Sequence, residues 1–558
     1  MYAKYKINYW GEHMKKDSFL KGTLMAYISI IIVKVLGVLY VIPFYSIIGE
    51  TGGVLYNYAY QIYNLFLSIS TSGIPIAISI IISEYNSLNM NKSKNKTFKI
   101  ANKLIFTISF IAFLVLFIFA GPIGQFMVSG IEGTTSIESL KLVIRSVSVC
   151  LLIIPFLSVL RGYLQGHKFI TITSVSQVIE QVIRIAIVLV SSYVIINVFG
   201  FDVSYGVAVA LLGAFFGGLF AFIYLNHKRV KNIKKVEVLE EKETDEKEVS
   251  SKEIIKKIIT YSIPVILVSA ISNLYNIMDT KLVILGLSQI GYDAAKSEVI
   301  ASIISTWAPK VCVIIMAIAT GMVSSIIPHI VNNYVNNEKE EVKNKIDQAL
   351  KIIFTISIPT AIGIFVLSEP IYYIFYGYND YGSIILKYVA IVNILCCLFT
   401  ILNTILQSIK KFKSVYFNTF SGLLFIIISD IPFIHLFNSI GLSPYVATVF
   451  ATILGYLISC SLAFVSLKKY LDYDVKRIFS FLFKIIIPCV LMIVTLLIMK
   501  FILPINLSYG YLKTLILLVL YAFVACIVFF ASAHKLGIVT DVLGYNVVEK
   551  IKNKFRKK

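Results

Sequence analysis

Fourteen apolar stretches constrain the fold of this 558-residue chain more than any other feature. A helix needs about twenty mostly apolar residues to cross the hydrocarbon core of a bilayer. The predicted spans are 24–48, 54–83, 100–120, 139–160, 172–198, 203–226, 256–285, 299–331, 346–368, 383–408, 414–437, 444–467, 480–503 and 511–534. Charged residues make up only 15% of the chain, against about a quarter in a soluble domain. We therefore predict an all-α polytopic membrane protein.

The positions of lysine and arginine predict the orientation of the spans. The formal net charge is +21, and the basic residues fall on one side of the predicted membrane. These basic segments are the N-terminus, 92–103, 161–168, 227–255, 339–351, 410–413, 468–477 and the C-terminal tail. The opposite loops carry acidic residues or no charge, so both termini are expected on the cytoplasmic side of the membrane. The same charge predicts attraction to anionic lipids and removes the need for a nucleic-acid partner.

The charged segment 230–255 divides the predicted spans. We expect an N-terminal lobe at 1–229, a cytoplasmic linker at 230–255, a second lobe at 256–470, and two further spans with a basic tail at 471–558. The stretches LRGYLQGHKF (160–169) and LNTILQSIKKF (402–412) share a Leu-Gln pair and a basic turn ending in Phe. They predict two pseudo-symmetric six-helix lobes plus two C-terminal helices, although apolar sequences also resemble one another by composition.

The sequence offers no pattern for catalysis or for a bound metal. The seven cysteines all lie in apolar runs, without the spacing of a metal site, and are predicted to be buried free thiols. No phosphate-binding loop and no grouping of nucleophile, base and orienting residue is visible. We predict no catalytic residue, no metal and no cofactor. A polytopic glycosyltransferase or ligase is the least favoured alternative.

Three cations within predicted spans are candidate ligands for a phosphate group. A charge at the bilayer centre costs at least about 2.5–3.5 kcal/mol unless it faces water or a partner. Lys34, Arg184 and Lys310 come from different spans and from both halves. Arginine binds phosphate oxygens as a fork and lysine as a point charge. We predict that the three side chains converge on one anionic headgroup.

Amides in the second span are predicted to line the same hydrated cavity. Asn57, Gln61 and Asn64 share one helical face, beside several tyrosines. Polar residues that join two helices are the alternative interpretation.

Four further charged residues are predicted gates or charge partners, namely Glu180, Asp279, Lys281 and Arg145. Glu180 and Arg184 stand four residues apart, so they can also form a structural ion pair that neutralises itself. Asp279 and Lys281 can alternatively reach the membrane interface.

Helix bends are predicted at Gly73, Pro75, Gly321 and Pro328, where they can act as hinges, because glycine and proline weaken helices locally.

Several motifs resemble those of one family of exporters. They are VKVLGVLYVIP (33–43), LYNYAYQIYNLF (55–66), RGYLQG (161–166) and SQVIEQVIR (176–184). Together they resemble the stage V sporulation protein B branch of the MurJ-type flippases, within the multidrug/oligosaccharidyl-lipid/polysaccharide exporter superfamily. Relatives often carry Arg where this chain has Val41, and Pro-Thr-Ala where it has Thr171, Ile172 and Thr173.

The resemblance implies a transporter rather than an enzyme. It implies that a monomer moves an undecaprenyl-pyrophosphate-linked oligosaccharide to the outer leaflet by alternating access. The substrate would be lipid II or another cell-envelope or spore polysaccharide precursor. A multidrug cation antiporter on the same scaffold is the alternative, and it would favour acidic rather than basic residues at depth.

Overall fold

The computed structural model describes residues 19–128, 135–231, 248–313, 316 and 326–543. These residues form helices joined by short connections, and no strand occurs among them, which confirms the predicted all-α class. The helices are α1 Phe19–Leu39, α2 Val41–Thr71, α3 Ile74–Ser87, α4 Asn91–Ile118, α5 Ala120–Val128, α6 Ile137–Ser148, α7 Ile154–Gly166, α8 Ile170–Tyr193, α9 Val203–Arg229, α10 Ser251–Gln289, α11 Ala294–Ser302, α12 Ile327–Val335, α13 Lys339–Val366, α14 Ser368–Tyr376, α15 Gly382–Ser408, α16 Phe412–Ser439, α17 Pro444–Leu471, α18 Lys476–Ile502, α19 Tyr511–Lys535 and α20 Ile538–Leu543.

Twelve helical segments in the described part of the chain are long and apolar enough to cross a membrane. They correspond to all the predicted spans except the first and the eighth. The first, 24–48, is divided between α1 and the start of α2, which turns at Gly49 with φ 63°. The eighth, 299–331, begins in α11 and continues into residues outside the described set. The chain is a multi-pass membrane protein, and the count of fourteen stays a prediction.

The chain forms two compact units, Met1–Ile277 and Met278–Lys558. The boundary falls inside α10, whereas the sequence pattern placed the division at the charged segment 230–255. Packing explains why the first half of α10 belongs with the first unit. Gly73 packs directly against the backbone of Ser262 in α10, and a Cβ atom at Gly73 would overlap that backbone.

The helix break between α2 and α3 coincides with two of the predicted hinge residues. Gly73 precedes α3 and Pro75 lies in its first turn, where a missing N–H costs no helical hydrogen bond. Gly162 of α7 lies against the Pro75 backbone, again without room for a side chain. Movement at Gly73 and Pro75 stays a prediction. Pro328 lies in the first turn of α12, and Gly321 lies outside the described residues.

In the second unit, a network of polar side chains fixes the start of α18 against α13. Arg477 donates from Nε to Asp347 over 2.8 Å and from Nη1 to Glu340 over 3.1 Å. The Tyr473 hydroxyl also donates to Asp347, over 2.6 Å. These contacts attach the C-terminal helices to the body of the second unit.

The seven cysteines are free thiols. Five are buried, whereas Cys396 is partly exposed and Cys526 is exposed, so the prediction of uniform burial is wrong for these two. Cys526 lies on α19, whose apolar side chains are largely exposed on the protein surface. In a membrane, lipid would cover this surface.

Candidate functional site

Arg184 lies within a cluster of tyrosines in the first unit. The hydroxyl groups of Tyr40, Tyr56, Tyr60 and Tyr63 are all within electrostatic range of its guanidinium group. The Tyr40 and Tyr56 oxygens are 3.5 Å apart, and the Tyr56 and Tyr60 rings stack with centroids 5.3 Å apart. Tyrosine offers hydroxyl groups and ring faces without carrying a charge. The cluster therefore surrounds the cation without neutralising it.

Glu180 does not pair with Arg184. Its carboxylate lies 2.8 Å from Nη2 of Arg161 on α7, and both side chains are largely buried, at 19% and 15% exposure. Arg161 also donates from Nε to the Ser176 hydroxyl over 3.0 Å, which fixes its guanidinium group. The self-neutralising pair considered from the sequence is thus replaced by a contact between helices. Arg184 forms no ion pair with any residue that the structure describes.

Two glycines of α9 explain how closely α8 packs against α9 near Glu180 and Arg184. A Cβ atom at Gly217 would lie 2.5 Å from the Glu180 carbonyl oxygen and 3.2 Å from the Arg184 Cβ. A Cβ atom at Gly213 would lie 3.0 Å from the Arg184 carbonyl oxygen. The glycines let the α8 backbone approach α9 closely, and larger residues would displace the segment that carries both charges.

Lys34 lies on α1, which packs against α8. A Cβ atom at Gly37 would be 3.2 Å from Nε2 of Gln181. Lys34 is exposed and makes no ion pair within the described ranges. The first unit therefore places two cations on neighbouring helices.

The predicted amide stripe of α2 is mostly buried. Gln61 donates from Nε2 to Oδ1 of Asn57 over 2.9 Å, and the two residues are 6% and 1% exposed. Asn64 is half-buried. The spacing that placed the amides on one face also lets two of them bond to each other. A role in substrate binding stays a prediction for all three.

In the second unit, Lys310 lies over an aromatic ring. Its Nζ is 4.2 Å from the ring centroid of Trp307, which is fully buried. The Tyr376 hydroxyl donates to the Trp307 carbonyl oxygen over 2.7 Å. A π-helix, Ile303–Trp307, precedes the lysine, and such irregular turns occur frequently at functional sites. The negative face of the ring stabilises the cation.

Two carboxyl groups meet inside the second unit. Asp279 of α10 and Asp430 of α16 are 5% and 0% exposed, and their carboxyl groups are close enough to interact electrostatically. Two carboxyl groups so close cannot both be ionised unless a cation lies between them; otherwise they share a proton. Lys281, two residues further on, is half-buried. The sequence placed both acids in spans, but it gave no sign that positions far apart in the chain would meet.

Arg145 makes its contacts elsewhere in the first unit, at Phe117 of α4. Its Nε donates to the Phe117 carbonyl oxygen over 3.2 Å, and its guanidinium group is 5.1 Å from the Phe117 ring centroid. These contacts join α6 to α4. Its predicted gating role stays a prediction.

The described residues contain no group of three or more His, Cys, Asp or Glu side chains that could hold a metal ion.

Long apolar helices that carry charges at the depth of the spans define the class as a polytopic membrane transporter fold. The family model described as polysaccharide biosynthesis protein matches residues 19–332, and the MatE model matches 264–431. The first model covers more than half of the chain. The chain belongs to the polysaccharide biosynthesis protein family.

Three known proteins support this assignment. The chain is 29% identical to the lipid II flippase MurJ of Bacillus subtilis, over 95% of this chain and 97% of that protein. It is 28% identical to stage V sporulation protein B of the same organism, over 40% of this chain and 42% of that protein. A solved structure of the lipid II flippase MurJ, in an inward closed conformation, matches with TM-score 0.58 and 15% identity, over 91% of this chain and 99% of that chain. The resemblance identified from the motifs is confirmed.

Proposed function

We propose that the protein moves a lipid-linked oligosaccharide across the bacterial cytoplasmic membrane, with its diphosphate bridge recognised by Arg184. The observation that carries the proposal is the guanidinium group of Arg184 among tyrosines, with its neighbouring carboxylate engaged by Arg161 instead. A partly buried cation without an ion-pair partner among the described residues needs an anionic ligand or water. Tyrosine hydroxyls and rings beside it suit phosphate oxygens and sugar faces.

Lys34 and Lys310 are proposed to act with Arg184 during translocation. Lys34 is exposed, and the Nζ of Lys310 lies over the Trp307 ring, 4.2 Å from its centroid. Both can therefore exchange water for phosphate oxygens at modest cost. The amides Asn57, Gln61 and Asn64 are proposed to contact the polar headgroup.

Lipid II is the favoured substrate, because the Bacillus subtilis relative that matches along nearly its whole length is named for it. A different cell-envelope or spore polysaccharide precursor is the second candidate, since stage V sporulation protein B also matches. We further propose a monomer with both termini in the cytoplasm, where the basic tails meet anionic lipids.

The acid pair in the second unit favours ion coupling. If a proton or a cation shares the site of Asp279 and Asp430, its release would leave two repelling carboxylates and destabilise that arrangement. The membrane potential would add about 2.3 kcal/mol per charge per 100 mV. The same pair, with the match to the MatE model, supports cation antiport as the second candidate function.

Complementation of a flippase-depleted bacterium tests the proposal. The variants are Lys34→Ala, Arg184→Ala and Lys310→Ala, with Lys141→Gln on an exposed surface pair as the control. Loss of rescue by Arg184→Ala at normal protein level, with full rescue by the control, is expected. Full rescue by all three variants, or resistance to cationic drugs that depends on the acid pair without any rescue, would contradict flippase activity.

A further inference from the structure

A cavity of about 570 Å³ in the first unit lies outside the arginine site. Ser79, Ser83 and Ser87 of α3 line it, together with residues of the turn that follows α7. Gly166 makes the packing possible, because a Cβ atom there would be 2.9 Å from the Ser79 carbonyl oxygen. The volume is within the range of small-ligand sites, roughly 300–1,000 Å³.

Two hydroxyl groups face this cavity without an internal hydrogen bond. The three serines are four residues apart, so they lie along one side of α3. The Ser87 hydroxyl donates back to the Glu84 carbonyl oxygen over 2.7 Å, as the Ser70 hydroxyl of α2 does to that of Phe66 over 3.0 Å. Ser79 and Ser83 make no such bond to described residues, which leaves their hydroxyls available to a ligand.

The carboxylate in the cavity is already neutralised. Lys257 of α10 lies 2.8 Å from Oε1 of Glu84, and its Nζ is 5.0 Å from the Tyr85 ring centroid. Glu84 can still accept a hydrogen bond through its remaining lone pairs. The cavity therefore presents a carboxylate acceptor without a net charge.

Both charge signs are disfavoured in a ligand of this cavity. An anion would meet the carbonyl end of α7, where the Asn86 amide already donates to the Gly166 oxygen over 3.1 Å. A cation would meet Lys257 and, at the rim, Lys168. A neutral ligand rich in hydroxyl groups can hydrogen-bond to the serines and to the carboxylate together.

We propose that this serine-lined cavity binds an uncharged sugar ring of the headgroup as a loading subsite, separate from the diphosphate contact at Arg184. The inference rests on the proposed function and adds the sugar as a second recognised part. Sugar binding at one place and diphosphate binding at another would let the protein select the glycan before the charged bridge enters the spans.

A cysteine reporter in the full-length protein tests the subsite. Ser87→Cys in a Cys396→Ala, Cys526→Ala background places an exposed thiol at the cavity edge and spares Ser79 and Ser83. The probe is N,N′-diacetylchitobiose, a neutral soluble disaccharide, and inorganic pyrophosphate is the comparison. We expect millimolar disaccharide to slow maleimide labelling severalfold, and pyrophosphate to leave the rate unchanged.

Added substitutions separate binding from a structural effect. Ser79→Ala with Ser83→Ala should raise the disaccharide concentration needed for protection about tenfold, as expected for two lost hydrogen bonds. Ser70→Ala, whose hydroxyl bonds only to its own helix, should leave it unchanged. Protection by pyrophosphate, absence of protection by the disaccharide, or protection that survives the double substitution would overturn the proposal.

A further variant distinguishes this inference from the proposed function. Arg184→Gln in the reporter should abolish transport and keep the disaccharide protection. Transport that persists in Arg184→Gln, with protection intact, would contradict the proposed diphosphate contact and support the sugar subsite. Loss of transport in Arg184→Gln, with no protection in the parent reporter, would remove the subsite alone.

Discussion

Arg184 in the first unit and the acid pair in the second unit have opposite charge, and the protein holds them differently. In the first unit, Arg184 lies among tyrosines while Glu180 is engaged by Arg161. In the second unit, Asp279 and Asp430 contact each other at nearly complete burial. Charge at depth is tolerated only with a partner or with access to water. The first arrangement suits an incoming anion, and the second suits a proton or small cation.

The largest expected effect concerns the cation of the first unit. Arg184→Gln should lower transport of a diphosphate-linked lipid by roughly a hundredfold, since a charge-assisted contact is worth about 1.5–3 kcal/mol. Arg184→Lys should retain part of the activity, because lysine keeps the charge and loses the fork. Initial flipping rates in proteoliposomes measure both. Equal rates in wild type and Arg184→Gln would contradict anion recognition by Arg184, and with it the proposed difference between the two units.

The acid pair should give the next largest effect. Asp430→Asn should reduce ion-driven transport about thirtyfold, because an amide cannot exchange a proton or bind a cation as strongly. The free energy of unfolding should stay unchanged or rise by about 1 kcal/mol, since a repulsive buried contact is relieved. Transport under an imposed ion gradient and thermal unfolding measure the two effects.

Asp293→Asn is the matched control for the acid pair, because Asp293 is exposed at the start of α11. A fall in stability with unaltered ion dependence would assign the pair a structural role.

A smaller effect is expected at Lys310. Lys310→Gln should lower transport about tenfold, and Trp307→Leu should lower it less, because the ring adds only about 0.5–2 kcal/mol to the cation. Lys296→Gln, an exposed lysine on α11, serves as the control. Flipping rates for the three variants at equal protein level are the measurement. A greater loss in Trp307→Leu than in Lys310→Gln would mean that packing, rather than charge, matters here.

The smallest effect should come from the ion pair between Glu180 and Arg161, which engages the carboxylate nearest to Arg184 in the sequence. Glu180→Gln should lower transport about fivefold, because Arg161 would lose its carboxylate and the α8 segment would shift. A double-mutant cycle with Arg161→Gln should show a coupling of about 1–2 kcal/mol in the free energy of unfolding. Glu138→Gln, from the exposed pair with Lys141, should change stability by less than about 0.5 kcal/mol. Additive effects at Glu180 and Arg161 would show that the contact is energetically unimportant.

Hydropathy predicted the helices well because the bilayer imposes one length and one composition on every span. The turn at Gly49 needs only local information, since glycine tolerates its positive φ. The division inside α10 was not predictable in this way. It depends on Gly73 meeting Ser262, a contact between residues distant in the sequence.

The charges of the site were visible in the sequence, but their partners were not. Glu180 and Arg184 are four residues apart, which suggested a local pair. Arg161, on a different helix, is fixed by its hydrogen bond to the Ser176 hydroxyl and pairs with the Glu180 carboxylate instead. The contact between Asp279 and Asp430 likewise arises from packing of α10 on α16. Spacing along one helix gives a shared face, whereas pairing between helices depends on tertiary packing.

Direct binding of a diphosphate-linked lipid to the purified full-length protein tests the central claim. Titration in nanodiscs would compare wild type, Arg184→Lys and Arg184→Gln, with Lys141→Gln as the control. The account predicts tight binding in wild type and the control, weaker binding in Arg184→Lys and a loss of about a hundredfold in Arg184→Gln. Binding of equal strength in wild type and Arg184→Gln would contradict it.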